Sequence, residues 1–388
     1  MNQVRIGVVG AGWMAKAHST AFRNVPMLFG NEPAVPVLET IADIDPARAK
    51  AAAETLGFNR WTEDWRQLVA DPAVDVVDIV TPNDAHAEIA IAAAKAGKHI
   101  YCEKPLALTA GEALRMTEAA EAAGVTTLVG FNYLKNPAQA LAKEMIEAGE
   151  LGDITQFRGT FDQDFMTDPT VPFSWRHDRS VAGSGALGDM ASHTISLALE
   201  LVGEMAEVCG LLATFVKQRS VATGGSGHTA KASADAAMRA VENDDLTQFL
   251  CRFNSGALGT IASSRIGTGR KLWVGYEIQG TKGALYFTQE RMNELQFYRQ
   301  GEPARERGYK TILTGPEHRW YAGFHPIAGI GLGYNDQKII EARDLLVAVA
   351  TGQKATPDFR FGYRVDRIVD AVLKSVDEHR WVTVDEIG

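Results

Sequence analysis

Short apolar runs alternate with amphipathic stretches along the first third of the chain, and the alternation stops near residue 154. Residues 4–9, 37–42, 74–80, 98–102 and 126–130 are brief, apolar and rich in β-branched side chains, as strands buried on both faces must be. Between them, residues 14–24, 46–57, 86–96 and 109–123 have helical composition, and three of these stretches stop at Gly57, Gly97 and Gly124. Such strand–helix alternation predicts an α/β fold with a doubly wound parallel sheet over residues 1–135. Residues 26–36, bounded by Pro26 and Pro36, read as a loop.

Beyond a helix expected at 137–148, strands come in hairpin pairs. Residues 247–253 and 257–264 flank Asn254-Ser255-Gly256, and residues 273–279 and 284–288 flank Gly280-Thr281-Lys282-Gly283. Residues 136–388 are therefore expected to form an α+β domain with a mostly antiparallel open sheet. Residues 217–242, rich in Ala, Gly and Ser, read as a long excursion between strands. Residues 335–350 and 364–379 read as closing helices, the latter a candidate to return to the first domain.

Composition narrows the function. A formal net charge of −9 without a long basic run argues against nucleic acid as a partner. No apolar stretch reaches the roughly 18 residues of a membrane span, and the chain enters a strand at once, so a cytoplasmic protein without a signal peptide is expected. Cys102, Cys209 and Cys251 are odd in number and far apart, which indicates neither a disulfide framework nor a zinc site.

Three stretches carry candidate chemistry. Gly10-Ala11-Gly12-Trp13-Met14-Ala15, between a strand and a helix, is a G-x-G-x-x-A dinucleotide fingerprint. Its first glycine permits the turn, its second lets backbone approach a pyrophosphate, and the helix start offers amides and a positive dipole end. Asp43 ends the second strand, where a carboxylate accepts both ribose hydroxyls of NAD and repels a 2′-phosphate. Asp45 before Pro46 fits a helix cap, and no arginine is expected next to Asp43 to welcome a phosphate. Glu103-Lys104-Pro105 follows the strand at 98–102, and a residue before proline is held extended. Lys104 at a strand's carboxyl end is either a surface lysine or an ammonium aimed at a substrate hydroxyl.

The third stretch, Gly183 to His193, has small residues for a tight turn and then helical composition up to Gly203. Asp189 and His193 are four apart, hence on one face of that helix; they are either a surface pair or an acid–base pair. Trp175 and Arg176 form an aromatic–cation pair ahead of that helix. A metal reading lacks further ligands at suitable spacing, and no G-x-S-x-G marks a nucleophilic serine.

The fingerprint, Glu103-Lys104-Pro105 and Gly188-Asp189-x-x-x-His193, in this order and spacing, resemble the Gfo/Idh/MocA oxidoreductase family over essentially the whole chain. Ser174-Trp175-Arg176, residues 291–295, residues 313–316 and Gly333-Tyr334-Asn335 resemble its sugar and cyclitol branch. The resemblance implies Lys104, Asp189 and His193 as catalytic residues, and Gly10, Gly12, Asp43, Asn83 and Glu103 as NAD contacts. Trp13, Met14, Thr81, His86, Lys104, Asn132, Trp175 and Arg176 are further candidate cofactor contacts. Lys104, Tyr133, Arg176, Asp189 and His193 are the candidate substrate contacts. The implied activity is oxidation of a ring hydroxyl of a sugar, anhydrosugar or inositol with NAD, by a homo-oligomer, a tetramer in the first place. A redox-elimination glycoside hydrolase and a non-catalytic dinucleotide sensor are the alternatives.

Overall fold

The computed structural model describes residues 3–31, 33–223, 231–233 and 235–388. The chain divides into two compact units, Met1–Lys135 with Gly333–Arg364, and Asn136–Leu332 with Val365–Gly388.

In the first unit β1 (Gln3–Val9) leads into α1 (Trp13–Phe29), and β2 (Val35–Ala42) into α2 (Pro46–Leu56). There follow β3 (Arg60–Thr62), α3 (Trp65–Ala70), β4 (Val76–Ile79), α4 (His86–Lys95), β5 (His99–Cys102), α5 (Ala110–Ala123) and β6 (Thr127–Val129). All six strands are parallel, in the order β3-β2-β1-β4-β5-β6. Successive strands step outward from β1 in opposite directions, so the carboxyl ends of β1 and β4 border the crevice where such sheets take ligands. Ile6, Val8, Val76, Val77, Ile79 and Ile100 are fully buried, hence the unbroken apolar runs.

Two local expectations change. Residues 26–29 are not loop: α1 runs through Pro26 to Phe29, and Gly30 N–H donates to the Pro26 carbonyl at 3.1 Å. A proline that late in a helix forfeits one backbone bond, and the buried face of Ala15, Ala21, Phe22 and Val25 holds the turn. The second change is β3 with α3, which carry no clear period in sequence because β3 is a three-residue, largely exposed edge strand.

The second unit begins with α6 (Pro137–Glu147), β7 (Ile154–Asp162), α7 (Arg179–Ala182), α8 (Ser192–Leu201) and β8 (Met205–Ala213). The ends of the excursion pair as β9 (Gln218–Ser220) and β10 (Met238–Ala240), while residues 224–230 and 234 lie outside the described residues. Next come β11 (Leu246–Phe253), β12 (Leu258–Ser264), β13 (Trp273–Gly280), β14 (Gly283–Thr288), β15 (Glu294–Arg299) and β16 (Lys310–Leu313). After α9 (Tyr334–Thr351) and α10 (Phe359–Glu378), β17 (Val382–Thr383) completes a nine-stranded sheet, β16-β15-β14-β13-β7-β12-β11-β8-β17. Both expected hairpins, β11–β12 and β13–β14, are antiparallel pairs, and only β7–β12 is parallel.

Along β11 the side chains alternate: Thr247, Phe249, Cys251 and Phe253 are buried, whereas Gln248, Leu250 and Arg252 are exposed. One sheet face thus carries the core. Helix α8 packs on β7, and Gly159 makes room for it, since a Cβ there would lie 2.3 Å from the Thr194 methyl. The closing segment that joins the first unit is Gly333–Arg364, with α9 packed on α1; from Val365 onward α10 belongs to the second unit. Among the described residues no helix is long and apolar enough to cross a membrane.

Candidate active site

At the end of β1 the chain turns at Gly10 with φ +103°, where a Cβ would stand 2.9 Å from the Val80 carbonyl oxygen. Only glycine fits there. A Cβ on Gly12 would meet nothing within 4 Å, and Gly12 caps α1 with neither a capping side chain nor an acidic residue in the first turn. The start of α1 is therefore open beside Gly12 and uncapped by a side chain, which suits a pyrophosphate. Trp13 is exposed beside this cradle, its ring 5.9 Å from that of Tyr334 on α9, and Met14 is half-buried.

Asp43 braces the same turn. Its carboxylate accepts from the Ala11 amide at 2.9 Å and from the Asp45 amide at 3.0 Å. The expectation that no arginine adjoins it needs correcting. Asp45 caps α2 through the Ala47 and Arg48 amides, and this brings Arg48 Nη1 to 3.7 Å from Asp43 Oδ1. A cation five residues along the chain thus stands beside the Asp43 carboxylate in space.

Thr81 and Asn83 follow β4. The buried His86 ring stands between the carbonyls of Thr81 and Pro105, 3.1 Å from each, and its single N–H donates to one of them where this loop adjoins the Glu-Lys-Pro corner. Burial holds the imidazole below its ordinary pKa, hence neutral. At the corner, the Lys104 amide donates to Glu103 Oε2 at 3.2 Å, and the Lys104–Pro105 peptide is cis. Gly130 is a glycine because Glu103 needs its space: a Cβ there would lie 2.7 Å from Oε1. Beyond β6, Asn132 donates to Gln337 on α9 at 3.0 Å, and Tyr133 meets the Tyr334 ring edge-on at 6.2 Å.

The remaining candidates belong to the second unit. Gly185 lies so close to Asp244 that a Cβ would fall 1.9 Å from its carbonyl oxygen, and one on Gly188 would reach Ser184 Oγ at 2.4 Å. The Asp244 carboxylate accepts from the Gly185 amide at 2.7 Å and the Leu187 amide at 2.9 Å, holding the turn into the helix. That helix is not regular from its start. Residues Leu187–Ala191 form a π turn carrying Asp189, and α8 begins only at Ser192, so the regular α-helical face expected for Asp189 and His193 is replaced by a wider one.

His193 is buried with its ring 5.7 Å from Phe161 of β7. Asp189 Oδ2 lies 3.5 Å from Arg176 Nε, and the Arg176 guanidinium stacks 4.5 Å over Trp175. The Arg176 carbonyl accepts from Asn243 Nδ2 at 3.0 Å and from Arg265 Nη1 at 3.3 Å. Arg265 is itself fixed by Asp245 at 3.0 Å. Beside them His177 is pushed down to about 3, by burial first and then by the charges of Arg265 and Arg219. It stays neutral, and its Nδ1 accepts the Ser174 amide at 2.9 Å.

Residues 4–131 match the oxidoreductase family with an NAD-binding Rossmann fold, and residues 140–286 match the GFO/IDH/MocA C-terminal domain. Levoglucosan dehydrogenase of Pseudarthrobacter phenanthrenivorans is 44% identical over 389 residues, all of both chains. The chain belongs to the Gfo/Idh/MocA oxidoreductase family. A scyllo-inositol 2-dehydrogenase (NAD(+)) of Bacillus subtilis is 30% identical over 288 residues, 74% of each chain. A solved levoglucosan dehydrogenase complex with NADH and levoglucosan superposes with a TM-score of 0.93 at 44% identity, over 99% of this chain and 100% of that one. NAD is the family's dinucleotide, and the open cradle at Gly12, the uncapped start of α1 and the Asp43 carboxylate fit it.

Sequence reasoning passed over Arg48, Asn243, Asp244, Asp245 and Arg265. The adjacent Asp244-Asp245 pair before a strand was the one visible signal. Replacing Asp43 with Ser is expected to raise KM for NAD roughly tenfold, the worth of a charge-assisted hydrogen bond. Because Arg48 already stands there, the same variant should narrow the preference for NAD over NADP in steady-state kinetics; a wild-type protein faster with NADP would refute the ribose assignment. Gly185→Ala should cost about 1–3 kcal/mol of stability by overpacking, measured as a lower urea midpoint.

Proposed function

We propose that the chain oxidises a ring secondary hydroxyl of a monomeric pyranose, anhydrosugar or inositol to the ketone. The reading is carried by its full-length likeness to a levoglucosan dehydrogenase. NAD, when bound, supplies the hydride acceptor, and the chain's own residues bind, orient and move a proton. His193 is assigned the hydroxyl proton. Lys104 is assigned a hydrogen bond to the same oxygen, which steadies the negative charge that develops there. Asp189 orients the base and a neighbouring hydroxyl, and is itself held beside Arg176, with Oδ2 3.5 Å from Nε.

Tyr133, Trp175 and Arg176 complete the proposed lining, aromatic faces for C–H surfaces and donors for hydroxyls. We assign the chain to the cytoplasm on its cysteine usage, and to a homo-oligomer, a tetramer in the first place. The exposed Leu211, Leu250 and Leu258 on the open sheet face support subunit pairing.

Lys104→Met and His193→Ala should each lower kcat by roughly 10²- to 10⁴-fold while NADH still binds, as fluorescence titration would report. Near-native kcat for the His193 variant at every pH would remove it from the mechanism. Levoglucosan, scyllo- or myo-inositol and glucose should be oxidised with NAD far better than lactate or acyclic alcohols, because those leave buried polar groups unpaired. A higher kcat/KM for lactate than for every ring tested would sink the substrate class.

A further inference from the structure

Behind the Glu-Lys-Pro corner, inside the first unit, lies a chain of charges of which only Glu103 has a role above, as a candidate NAD contact. His18 of α1 sets Nδ1 against the Asp78 carboxylate of β4, at 2.9 and 3.0 Å, and Nε2 against Glu103 Oε1 at 2.9 Å. Lys338 of α9 donates to the same Glu103 Oε1 at 2.6 Å and lies 2.9 Å from Glu341. Tyr101 of β5 donates to Glu341 at 2.7 Å, and its ring stacks on that of His18 at 4.4 Å. Every one of these side chains is buried or nearly so.

Ion pairs this deep are poor stabilisers, since desolvation of both partners offsets their attraction, and apolar residues of similar volume often serve as well. What this cluster does achieve is local. Two cationic donors converge on one oxygen of Glu103, while the other oxygen accepts the Lys104 amide. The geometry points to Lys338 and His18 as positioning residues: they fix the Glu103 carboxylate, and through it the backbone from which Lys104 and the cofactor contacts at this corner are presented. The inference deepens the dehydrogenase reading and rests on it for the role of Lys104.

The charge balance fits. Burial pushes the Glu103 carboxyl up, but Lys338 and His18 outweigh it and hold it well below the usual range. Burial likewise opposes protonation of His18, and Asp78 outweighs it, raising the imidazole to about 9. Glu341, also buried, is raised. From the flanks, His86 of α4 and Tyr334 of α9 are the other titratable groups that feel Glu103, and neither carries charge near neutral pH.

The test is NADH fluorescence titration and steady-state kinetics from about pH 5.5 to 8.5 on wild type, Lys338→Met, Lys338→Arg and His18→Phe. His18→Phe keeps a ring against Tyr101 but removes the second donor to Glu103. The Met and Phe variants should lose about 10- to 100-fold in kcat, the scale of a misplaced catalytic group, with KM for the ring substrate within threefold. With one cation gone, burial raises Glu103 into the measured range, so NADH affinity should fall as pH falls, a limb the wild type lacks. Lys338→Arg should restore much of both. Lys135→Met, which breaks a buried pair with Asp344 elsewhere in the unit, should lower the melting temperature and leave kcat and the pH profile in place. If a wild type that oxidises no polyhydroxylated ring still shows these NADH shifts in the variants, the substrate reading fails and the positioning role stands. Folded Met and Phe variants with wild-type affinity, kcat and pH profile overturn it, and so does failure of both to fold.

Discussion

Backbone amides that leave a strand or enter a helix need acceptors, and here carboxylates supply them at three of the turns that carry candidate residues. Asp43 takes the amides of Ala11 and Asp45, Glu103 that of Lys104, and Asp244 those of Gly185 and Leu187. Asp245 takes Phe215 and Val216 and holds Arg265 with its other oxygen. A charged acceptor makes a stronger bond than a carbonyl, and losing it leaves buried donors unmet. Turns built this way have one conformation, which is what a site needs when its reacting groups stand on loops.

Small residues are the complement of those carboxylates. Gly130 clears space for Glu103, and Gly185 lets its turn lie directly on the Asp244 backbone. The run of glycines before Asp189 is therefore a packing requirement as much as a flexible turn. Gly12 differs, because nothing of the protein fills the space beside it. A glycine with a neighbour marks a close internal approach, and one without a neighbour beside an uncapped helix marks room for a ligand.

What the sequence made legible was local. The parallel strands announced themselves as apolar runs, the hairpins through their turns, and the fingerprint through its place between strand and helix. The partners of the site were not legible, because they lie far away in sequence. Glu103 meets Lys338 across 235 residues, and Asp244 meets Gly185 across 59. No period or motif connects such pairs. Two local surprises have other causes: tertiary packing carries α1 through Pro26, and the π turn at Leu187–Ala191 widens a stretch whose composition reads as ordinary helix. Arg48 falls between these cases, close in sequence but brought to Asp43 only because Asp45 caps α2.

The second unit also bears on which ring substrates suit the site. Arg176 would be an attractive anchor for a phosphate, yet its charge is already engaged: Asp189 lies 3.5 Å away, and the guanidinium stacks on Trp175. Two opposite charges this close leave directed donors and acceptors with little net field, and the neutral His177 adds none. Arg265 is buried against Asp245. An anionic sugar would have to compete with Asp189 for Arg176 and would face a carboxylate. On the proposed assignment a neutral polyol has no such conflict, because its hydroxyls would donate to Asp189 and accept from Arg176 without disturbing the pair. On the proposed assignment of these residues, the Asp189–Arg176 pair by itself offers a phosphate no net charge.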